Sequence, residues 1–291
     1  MRSSPPTACT SRSPRTATSG RSRTSRQPRV PSNYAAELEF AVETAWIAGQ
    51  LTLEFFRLGV DPELKSDMTP VTEADRGAEE LIRSRIAEVF PGDLVVGEEF
   101  GAGGGESASE AASKRHWYVD PIDGTRSFVR GVPLYGILIG LEVDGRVEVG
   151  VAHFPGIGET VAAASGHGCT LNGEPAQVCS TNNLSEGYVS FGDPGLFVDP
   201  RHRTAWQRMM EGAAYRVGWS DAYGHALVAT GRLELMVDPK MSAWDCGPFP
   251  VILREAGGYF GDWDGNETIH GDRAFSTTRR LLPEALKLLA D

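Results

Sequence analysis

Two aspartates with only a proline and an isoleucine between them form the most chemically suggestive part of this chain. They belong to the run Asp120-Pro121-Ile122-Asp123-Gly124-Thr125. Carboxylates held this close together repel one another unless a cation lies between them, so the run predicts a site for a hard metal ion. Gly124 lets the backbone approach a ligand closely, and its N–H beside that of Thr125 can face an anion. A metal, an anion and a hydroxyl at one site predict phosphate chemistry.

The same run also fits a purely structural interpretation. Pro121 interrupts a regular helix or a central strand. An Asp-Pro turn can cap a helix while its aspartates stay in solvent. The run by itself leaves both interpretations open.

Three further acidic motifs lie where the sequence pattern predicts strand ends or helix starts. They are Asp75, Glu98-Glu99 and Trp244-Asp245. Each has its own structural interpretation: Asp75 caps its helix, the two glutamates are solvated, and Asp245 is the N-cap of a helix that begins at Cys246. These interpretations are adequate one motif at a time, so the spacing of the whole set has to decide.

Apolar periodicity predicts the elements that position these motifs. Helical spacing covers residues 34–58, and a second helix begins near Thr72, with Asp75 placed as in a capping box. Short strands over 93–96 and 116–119 lead into the glutamate pair and the aspartate pair. Asp144-Gly145 and Asn172-Gly173 predict tight turns in an antiparallel sheet.

The second half of the chain alternates helices with strands. Helices are predicted over about 203–213, 223–230 and 246–256 and from Pro283, and strands over 215–218, 233–237 and 259–262. The predicted fold class is therefore α/β, with an α+β first half. We predict a disordered basic leader over 1–32, an α+β half over 33–185 and an α/β half over 186–291. The Gly/Ser-rich stretch 101–114 is predicted to be a mobile surface loop.

Charge is distributed unevenly along the 291 residues. Residues 1–32 contain seven arginines and no acid, which leaves 21 basic and 39 acidic side chains, a net charge of −18, for residues 33–291. A body this acidic argues against nucleic-acid binding and suits a protein that concentrates divalent cations. The leader has the composition of a disordered segment, with a transit peptide, a basic interaction tail or a misplaced start codon as alternatives.

Two further features of composition concern location. No stretch approaches the length of a membrane span, so no membrane association is expected. Four cysteines, at positions 9, 169, 179 and 246, are scattered without the spacing of a metal or redox site. They indicate reduced thiols in a cytoplasmic protein.

The spacing and flanking residues of the whole set of motifs resemble the inositol-monophosphatase-like superfamily of Mg²⁺-dependent phosphatases. The matching residues are Lys65, Val71 to Asp75, Gly97 to Glu99, Trp117 to Thr125, Trp244-Asp245 and Glu255 to Gly258. The resemblance covers roughly residues 34–290. It implies a layered αβαβα sandwich with metal ions at the junction of its halves and, by analogy with the family, a homodimer.

The resemblance also implies a role for each matching residue. Two or three Mg²⁺ ions would be ligated by Glu98, Asp120, the Ile122 carbonyl, Asp123 and Asp245. Asp75 would accept a hydrogen bond from Thr125, which orients or deprotonates the attacking water, and Glu98 completes this catalytic set. The backbone amides of Gly124 and Thr125 would hold phosphate oxygens.

Three segments look more like those of the histidinol-phosphatase branch of this superfamily, which acts late in histidine biosynthesis. They are Ser127 to Pro133, Ser220 to His225 and Met236 to Pro239. Asp221 and Asp238 can pair with the cationic amine of L-histidinol phosphate, a small phosphorylated metabolite, whereas inositol has no amine. Alternatively, Asp221 is a helix N-cap and Asp238 a turn residue. Arg130 is either a rim contact for the substrate or a plain surface charge, and His225 is expected to pack or cap rather than to catalyse.

Other functions remain open at this point. Within the same chemistry, the alternatives are an inositol-1-monophosphatase or another small sugar-phosphate phosphatase. A nucleotide 3′-phosphatase is disfavoured because no adenine-stacking or basic segment is visible. The non-enzyme alternative is a metal-binding regulator of the same fold, which the complete set of expected ligands argues against.

Overall fold

The computed structural model describes residues 34–59, 62–65, 70–104, 114–219 and 221–290. The predicted leader, residues 1–32, lies outside the described residues, and so do residues 105–113 of the Gly/Ser-rich stretch. In the described part of the chain, every helix is too short or too polar to span a lipid bilayer.

Eight α-helices and fifteen β-strands occur among the described residues. The helices are α1 (Ala35–Leu58), α2 (Glu73–Val89), α3 (Thr125–Val129), α4 (Pro200–Gly212), α5 (Ala222–Ala229), α6 (Ala243–Cys246), α7 (Phe249–Glu255) and α8 (Leu282–Leu289). The first strands are β1 (Glu63–Leu64), β2 (Pro70–Val71), β3 (Leu94–Gly97), β4 (Gly101–Gly104), β5 (Arg115–Asp123), β6 (Gly136–Val143), β7 (Arg146–Phe154), β8 (Glu159–Ala164), β9 (Gly168–Leu171) and β10 (Glu174–Ala176). The remaining strands are β11 (Tyr188–Phe191), β12 (Tyr215–Val217), β13 (Leu235–Asp238), β14 (Gly258–Gly261) and β15 (Ala274–Thr278). Short 3-10 turns cover Leu184–Glu186 and Pro194–Val198.

The strands form two main sheets. The first has eight strands in the order β10-β9-β8-β7-β6-β5-β3-β4, and the second has five in the order β12-β11-β13-β15-β14. In the first sheet only β3 and β5 are parallel neighbours, within the described residues. In the second sheet β11 runs parallel to β12 and β13, and β15 is antiparallel to its neighbours.

Successive residues of the first sheet face opposite sides, and helices cover both sides. Val119 and Ile139 pack with α1 and α2, whereas Tyr118 and Leu138 pack with α5 and α7. Helices α5 and α7 also contact the second sheet, whose other face packs on α4 and α8. The order helix, sheet, helix, sheet, helix confirms the predicted αβαβα sandwich.

Local sequence signals located several elements correctly. Asp144 and Gly145 adopt φ angles of 50° and 79° in the turn between β6 and β7. Asn172 and Gly173 adopt 51° and 83° between β9 and β10. These left-handed pairs are what a two-residue hairpin requires. The predicted capping box of α2 is present, with the Asp75 side chain accepting from the Thr72 backbone N–H.

Other predictions from sequence need correction. Residues 101–104 form strand β4 rather than part of a loop. Pro121 lies within β5, at a register shift between Asp120 and Asp123, because a bulge accommodates a residue without a backbone donor. The helix predicted over 246–256 corresponds to α7, and a separate short helix, α6, ends at Cys246 just before it. Strand β15 was not predicted.

The predicted boundary at residue 185 falls between the two sheets. The first sheet is built from strands up to Ala176, and the second begins at Tyr188. Because α5 and α7 fill the space between the sheets and pack on both, the halves share one hydrophobic layer. The division into two domains stays a prediction.

Candidate metal and phosphate site

Two neighbouring aspartates and a third that is distant in the sequence converge where the two halves meet. Asp120 and Asp123 lie in the bulged end of β5, and Asp245 lies in α6. One carboxylate oxygen from each lies within 4.8 Å of the others. An all-oxygen set of this kind is the ligand type that Mg²⁺ prefers.

Each of these carboxylates accepts a hydrogen bond from a backbone N–H. The Ile122 N–H donates to Asp120 Oδ1 at 3.0 Å, and the Ser242 N–H donates to Asp245 Oδ2 at 2.8 Å. The Ala222 N–H, at the start of α5, donates to Asp123 Oδ2 at 2.8 Å and so links the two halves. Every carboxylate therefore keeps a second oxygen for the shared site. Asp245 is not the N-cap predicted from sequence, because α6 begins one turn earlier with Ser242 as its cap.

Close backbone packing brings α6 to the first sheet. A Cβ built on Gly140 of β6 would lie 2.3 Å from the Gly247 carbonyl carbon, and one built on Gly150 of β7 would lie 2.2 Å from Pro248 O. Only glycines permit this approach. The Gly247-Pro248 junction between α6 and α7 therefore rests directly on β6 and β7, and Asp245 comes within reach of Asp120.

Glu98 and Glu99 follow β3, and Glu98 lies near Asp120. Lys65 Nζ contacts Glu98 Oε1 at 2.9 Å and Glu99 Oε1 at 2.6 Å. The buried carboxylate of Glu79, in α2, accepts hydrogen bonds from the Glu99 and Phe100 N–H groups and holds this turn. Burial raises the pKa of Glu99 to about 7, although its bond to Lys65 opposes the shift.

The aspartate cluster carries uncompensated negative charge. Burial, followed by the nearby charge of Glu98, raises the pKa of Asp120 well above its usual range. Burial and Asp221 do the same to the pKa of Asp123, and burial raises the pKa of Asp245 to about 7. A bound cation would oppose these shifts, because it stabilises the ionised form of each carboxylate. The donor chemistry and the charge of the cluster therefore fit a divalent metal ion.

Thr125 stands beside this cluster with its hydroxyl between two acceptors. Thr125 Oγ1 lies 3.0 Å from the Ile122 carbonyl oxygen and 3.4 Å from Asp75 Oδ1. The other oxygen of Asp75 caps α2, so the helix cap and the Thr125 contact are made by one carboxylate. Gly124, with φ of 80°, directly precedes α3, a backbone conformation that glycine adopts readily.

A cavity of about 250 Å³ opens onto the cluster. It is lined by Glu98, Asp120, Ile122, Asp123, Gly124, Thr125 and Asp245, and also by both predicted substrate residues, Asp221 and Asp238. Asp221 adopts φ of 58° as the N-cap of α5, and Asp238 ends β13 with its Oδ2 3.0 Å from His225 Nε2.

Arg130 is the one predicted site residue that the structure does not bring to the site. It is exposed at the end of α3 and is not among the described residues that line the cavity. Arg126, one turn earlier, lines the cavity instead and contacts Asp193 Oδ2 at 3.2 Å. A substrate contact by Arg130 stays a prediction.

Sequence reasoning missed part of the cavity wall. Gly192, Asp193, Leu196, Arg126, Lys240 and Met241 also line it. Lys240 and Met241 lie two and three residues after Asp238, so proximity to that predicted residue was the available signal. Gly192 to Leu196 carry no motif and reach the cavity only because β11 lies beside β13.

Known proteins are similar to this chain in both sequence and fold. The model of the inositol monophosphatase family matches residues 33–290. A histidinol-phosphatase from Chlorobaculum parvum is 44% identical over 234 residues, which cover 80% of this chain and 88% of that protein. A histidinol-phosphatase from Mycobacterium tuberculosis is 35% identical over 260 residues, covering 87% and 97%. A solved inositol monophosphatase from Zymomonas mobilis gives a TM-score of 0.78 at 28% identity and covers 89% of this chain and 99% of that chain. The chain therefore belongs to the inositol monophosphatase family and is a phosphoric monoester hydrolase.

Proposed function

We propose that this protein is a Mg²⁺-dependent phosphatase whose substrate is L-histidinol phosphate, which it hydrolyses to L-histidinol and phosphate. The convergence of Asp120, Asp123 and Asp245 beside Thr125 carries the proposal for the chemistry. We also infer that the protein acts in histidine biosynthesis, in the cytoplasm and as a homodimer.

In this proposal the acidic cluster binds two or three Mg²⁺ ions. These ions would be held by Glu98, Asp120, Asp123, Asp245 and the Ile122 carbonyl. Bound Mg²⁺ supplies Lewis acidity, which makes water more nucleophilic and offsets charge on the leaving alkoxide. Thr125 has a single hydroxyl hydrogen, so when it is donated to Asp75 the Ile122 carbonyl oxygen is free to face an ion.

Thr125 and Asp75 position the water in the proposed reaction. When Thr125 donates its hydroxyl hydrogen to Asp75, its oxygen lone pairs are directed to the water and can accept a hydrogen bond from it. The water is thereby aimed at phosphorus on the side opposite the ester oxygen. The amides of Gly124 and Thr125 then hold the phosphate oxygens as charge develops on them.

The charge of the cavity supports an amine-bearing substrate. Among its described lining residues, seven are acidic and two basic. Four of the acids belong to the proposed metal site, and Asp193 is paired with Arg126. Asp221 and Asp238 lie on the remaining wall, where they favour a cationic group. The names of the two bacterial relatives point to the same substrate.

The chemistry is tested by Asp123→Asn, which preserves side-chain shape and removes the charge. We expect phosphatase turnover to fall by ~10³-fold, a loss typical of removing one key electrostatic group. Asp144→Asn, in the exposed turn after β6, is the matched control and should behave like the wild type. Turnover that survives Asp123→Asn would contradict the metal mechanism, whereas a wild type without phosphatase turnover would favour a non-catalytic regulator.

The substrate is tested by comparing kcat/KM for L-histidinol phosphate and inositol 1-phosphate at saturating Mg²⁺. A charge-assisted bond to the amine should favour histidinol phosphate by ~10-fold or more. Equal or reversed preference would remove this substrate and leave an inositol-phosphate or sugar-phosphate phosphatase, the alternative that the Zymomonas mobilis neighbour supports.

A further inference from the structure

A histidine with no assigned role lies directly behind the substrate wall of the cavity. His225, in α5, is completely buried. Its Nε2 lies 3.0 Å from Asp238 Oδ2, and its Nδ1 lies 2.8 Å from Ser276 Oγ. Its ring packs against Phe249 and Phe260, so water does not compete for either nitrogen.

The hydrogens of this group can be assigned from the donors and acceptors present. An ionised Asp238 carboxylate only accepts, so His225 Nε2 carries a hydrogen and donates it. Nδ1 of a neutral ring then accepts from the Ser276 hydroxyl. The chain of bonds runs from β15 through α5 to β13, and Ser276 lies directly opposite Met236 in the paired strands. Three elements of the second half therefore fix one carboxylate.

The second oxygen of Asp238 lies against Gly192 in the cavity wall. A Cβ built on Gly192 would lie 2.1 Å from Asp238 Oδ1, and both residues line the cavity. The carboxylate is thus held by His225 through Oδ2, while Oδ1 lies against Gly192 at the cavity wall, with 7% of the Asp238 side chain exposed. Pro239 follows directly and offers no backbone N–H that could turn the carboxylate away.

We propose that His225 is a positioning residue that holds Asp238 toward the cavity and thereby sets the preference for phosphate esters that carry a cationic amine. This inference rests on the proposed function. His225 does not touch the substrate or the metal cluster, and its action is entirely through Asp238. Ser276 supports it by fixing the orientation of the imidazole ring.

The experiment compares two substrates in four proteins. The substrates are L-histidinol phosphate, which has the amine, and glycerol 2-phosphate, which has none. The proteins are the wild type, His225→Met, His225→Gln and His153→Met. Methionine fills the apolar site without a donor, and glutamine places an amide N–H near the position of Nε2. His153, which is also buried, in β7, but is not among the described cavity residues, is the control for losing a buried histidine.

We expect His225→Met to raise KM for histidinol phosphate by ~10-fold or more. Without His225, Asp238 is no longer held in place, and its bond to the charged amine of the substrate is lost. Its kcat should stay within about threefold of the wild type, and the kcat/KM for glycerol 2-phosphate should fall much less than that for histidinol phosphate. His225→Gln should restore most of the selectivity, and His153→Met should retain it. Thermal unfolding of each variant reports on folding separately.

The outcomes distinguish this inference from the proposed function. A wild type without preference for the amine-bearing ester would overturn the proposed substrate and, with it, the amine-directing role. A selective wild type whose selectivity survives in His225→Met would overturn the positioning role alone. If His225→Met does not fold, Ser276→Ala tests the same chain of bonds from its far end, and unchanged selectivity there would overturn the proposal as well.

Discussion

The assembly of the metal site depends on the contact between Gly140 and Gly247. Gly140→Ala adds one methyl group where the structure has backbone against backbone. The new Cβ would start 2.3 Å from the Gly247 carbonyl carbon, whereas an ordinary contact needs at least 3.4 Å. The junction after α6 must therefore move by about 1.1 Å, or β6 must yield by the same distance.

The size of the effect follows from what that junction carries. Overpacking a well-filled interior costs about 1–3 kcal/mol in the free energy of unfolding. Asp245 lies two residues before Gly247, so the displacement also separates Asp245 from Asp120 and Asp123. A misplacement of ~1 Å at a reacting centre can lower the rate by about 10²-fold. We expect Gly140→Ala to bind Mg²⁺ more weakly, so that a higher Mg²⁺ concentration is needed for half-maximal activity.

Denaturant unfolding and phosphatase activity as a function of Mg²⁺ concentration measure the two effects. Gly212→Ala is the matched control, because a Cβ at Gly212 meets no atom within 4 Å and the residue ends helix α4. This control should be neutral or stabilising by up to about 1 kcal/mol. A Gly140→Ala protein with wild-type stability and wild-type Mg²⁺ dependence would refute the close-packing argument.

Three further changes test separate parts of the site and the fold. Thr125→Val should lower kcat by about 10²–10⁴-fold, whereas Thr125→Ser should keep most activity; a valine variant within tenfold of the wild type would contradict the proposed proton contact. Arg126→Ala should raise KM about two- to fivefold and Arg130→Ala should leave it unchanged, and the reverse order would support the substrate contact predicted for Arg130. Burial lowers the pKa of His153 to about 4, below its ordinary value of 6.5. The unfolded chain therefore binds a proton on His153 more tightly than the folded chain does. The free energy of unfolding is highest above pH 6.5 and decreases as the pH falls toward 4, by at most about 3 kcal/mol. In unfolding experiments at several pH values, His153→Met should reduce the dependence of the free energy of unfolding on pH, whereas His167→Met, at an exposed histidine, should not. Equal pH dependence in the two variants would contradict the role given to His153.

Local signals explain what could be predicted from the sequence. The periodicity of α1, the capping box at Thr72 and the turns at Asp144-Gly145 and Asn172-Gly173 depend on residues close together in the chain. These features form for reasons that a short window contains. The motif spacing then identified the acidic residues that the structure brings together.

Long-range contacts explain what could not be predicted. Pro121 sits within a strand only because β6 accepts a bulge there. The break between α6 and α7 depends on β6 and β7, because Gly247 and Pro248 pack against Gly140 and Gly150 of those strands. Leu196 and Gly192 reach the cavity through the pairing of β11 with β13. None of these causes lies near the residue it affects.

The aspartates of the site show why structural and functional interpretations of a sequence motif need not compete. Asp75 and Asp245 each accept the backbone N–H of the N-cap residue in a capping box, through Oδ2. Asp75 also contacts Thr125 through Oδ1, and Asp245 also belongs to the aspartate cluster. The cap fixes the side chain, and the fixed side chain can then hold charge against its neighbours. Replacement by asparagine keeps an oxygen for the backbone N–H and removes the charge, whereas alanine removes both. A carboxylate whose only role is capping should tolerate asparagine, so loss of turnover without loss of stability in Asp245→Asn separates the two roles within one side chain.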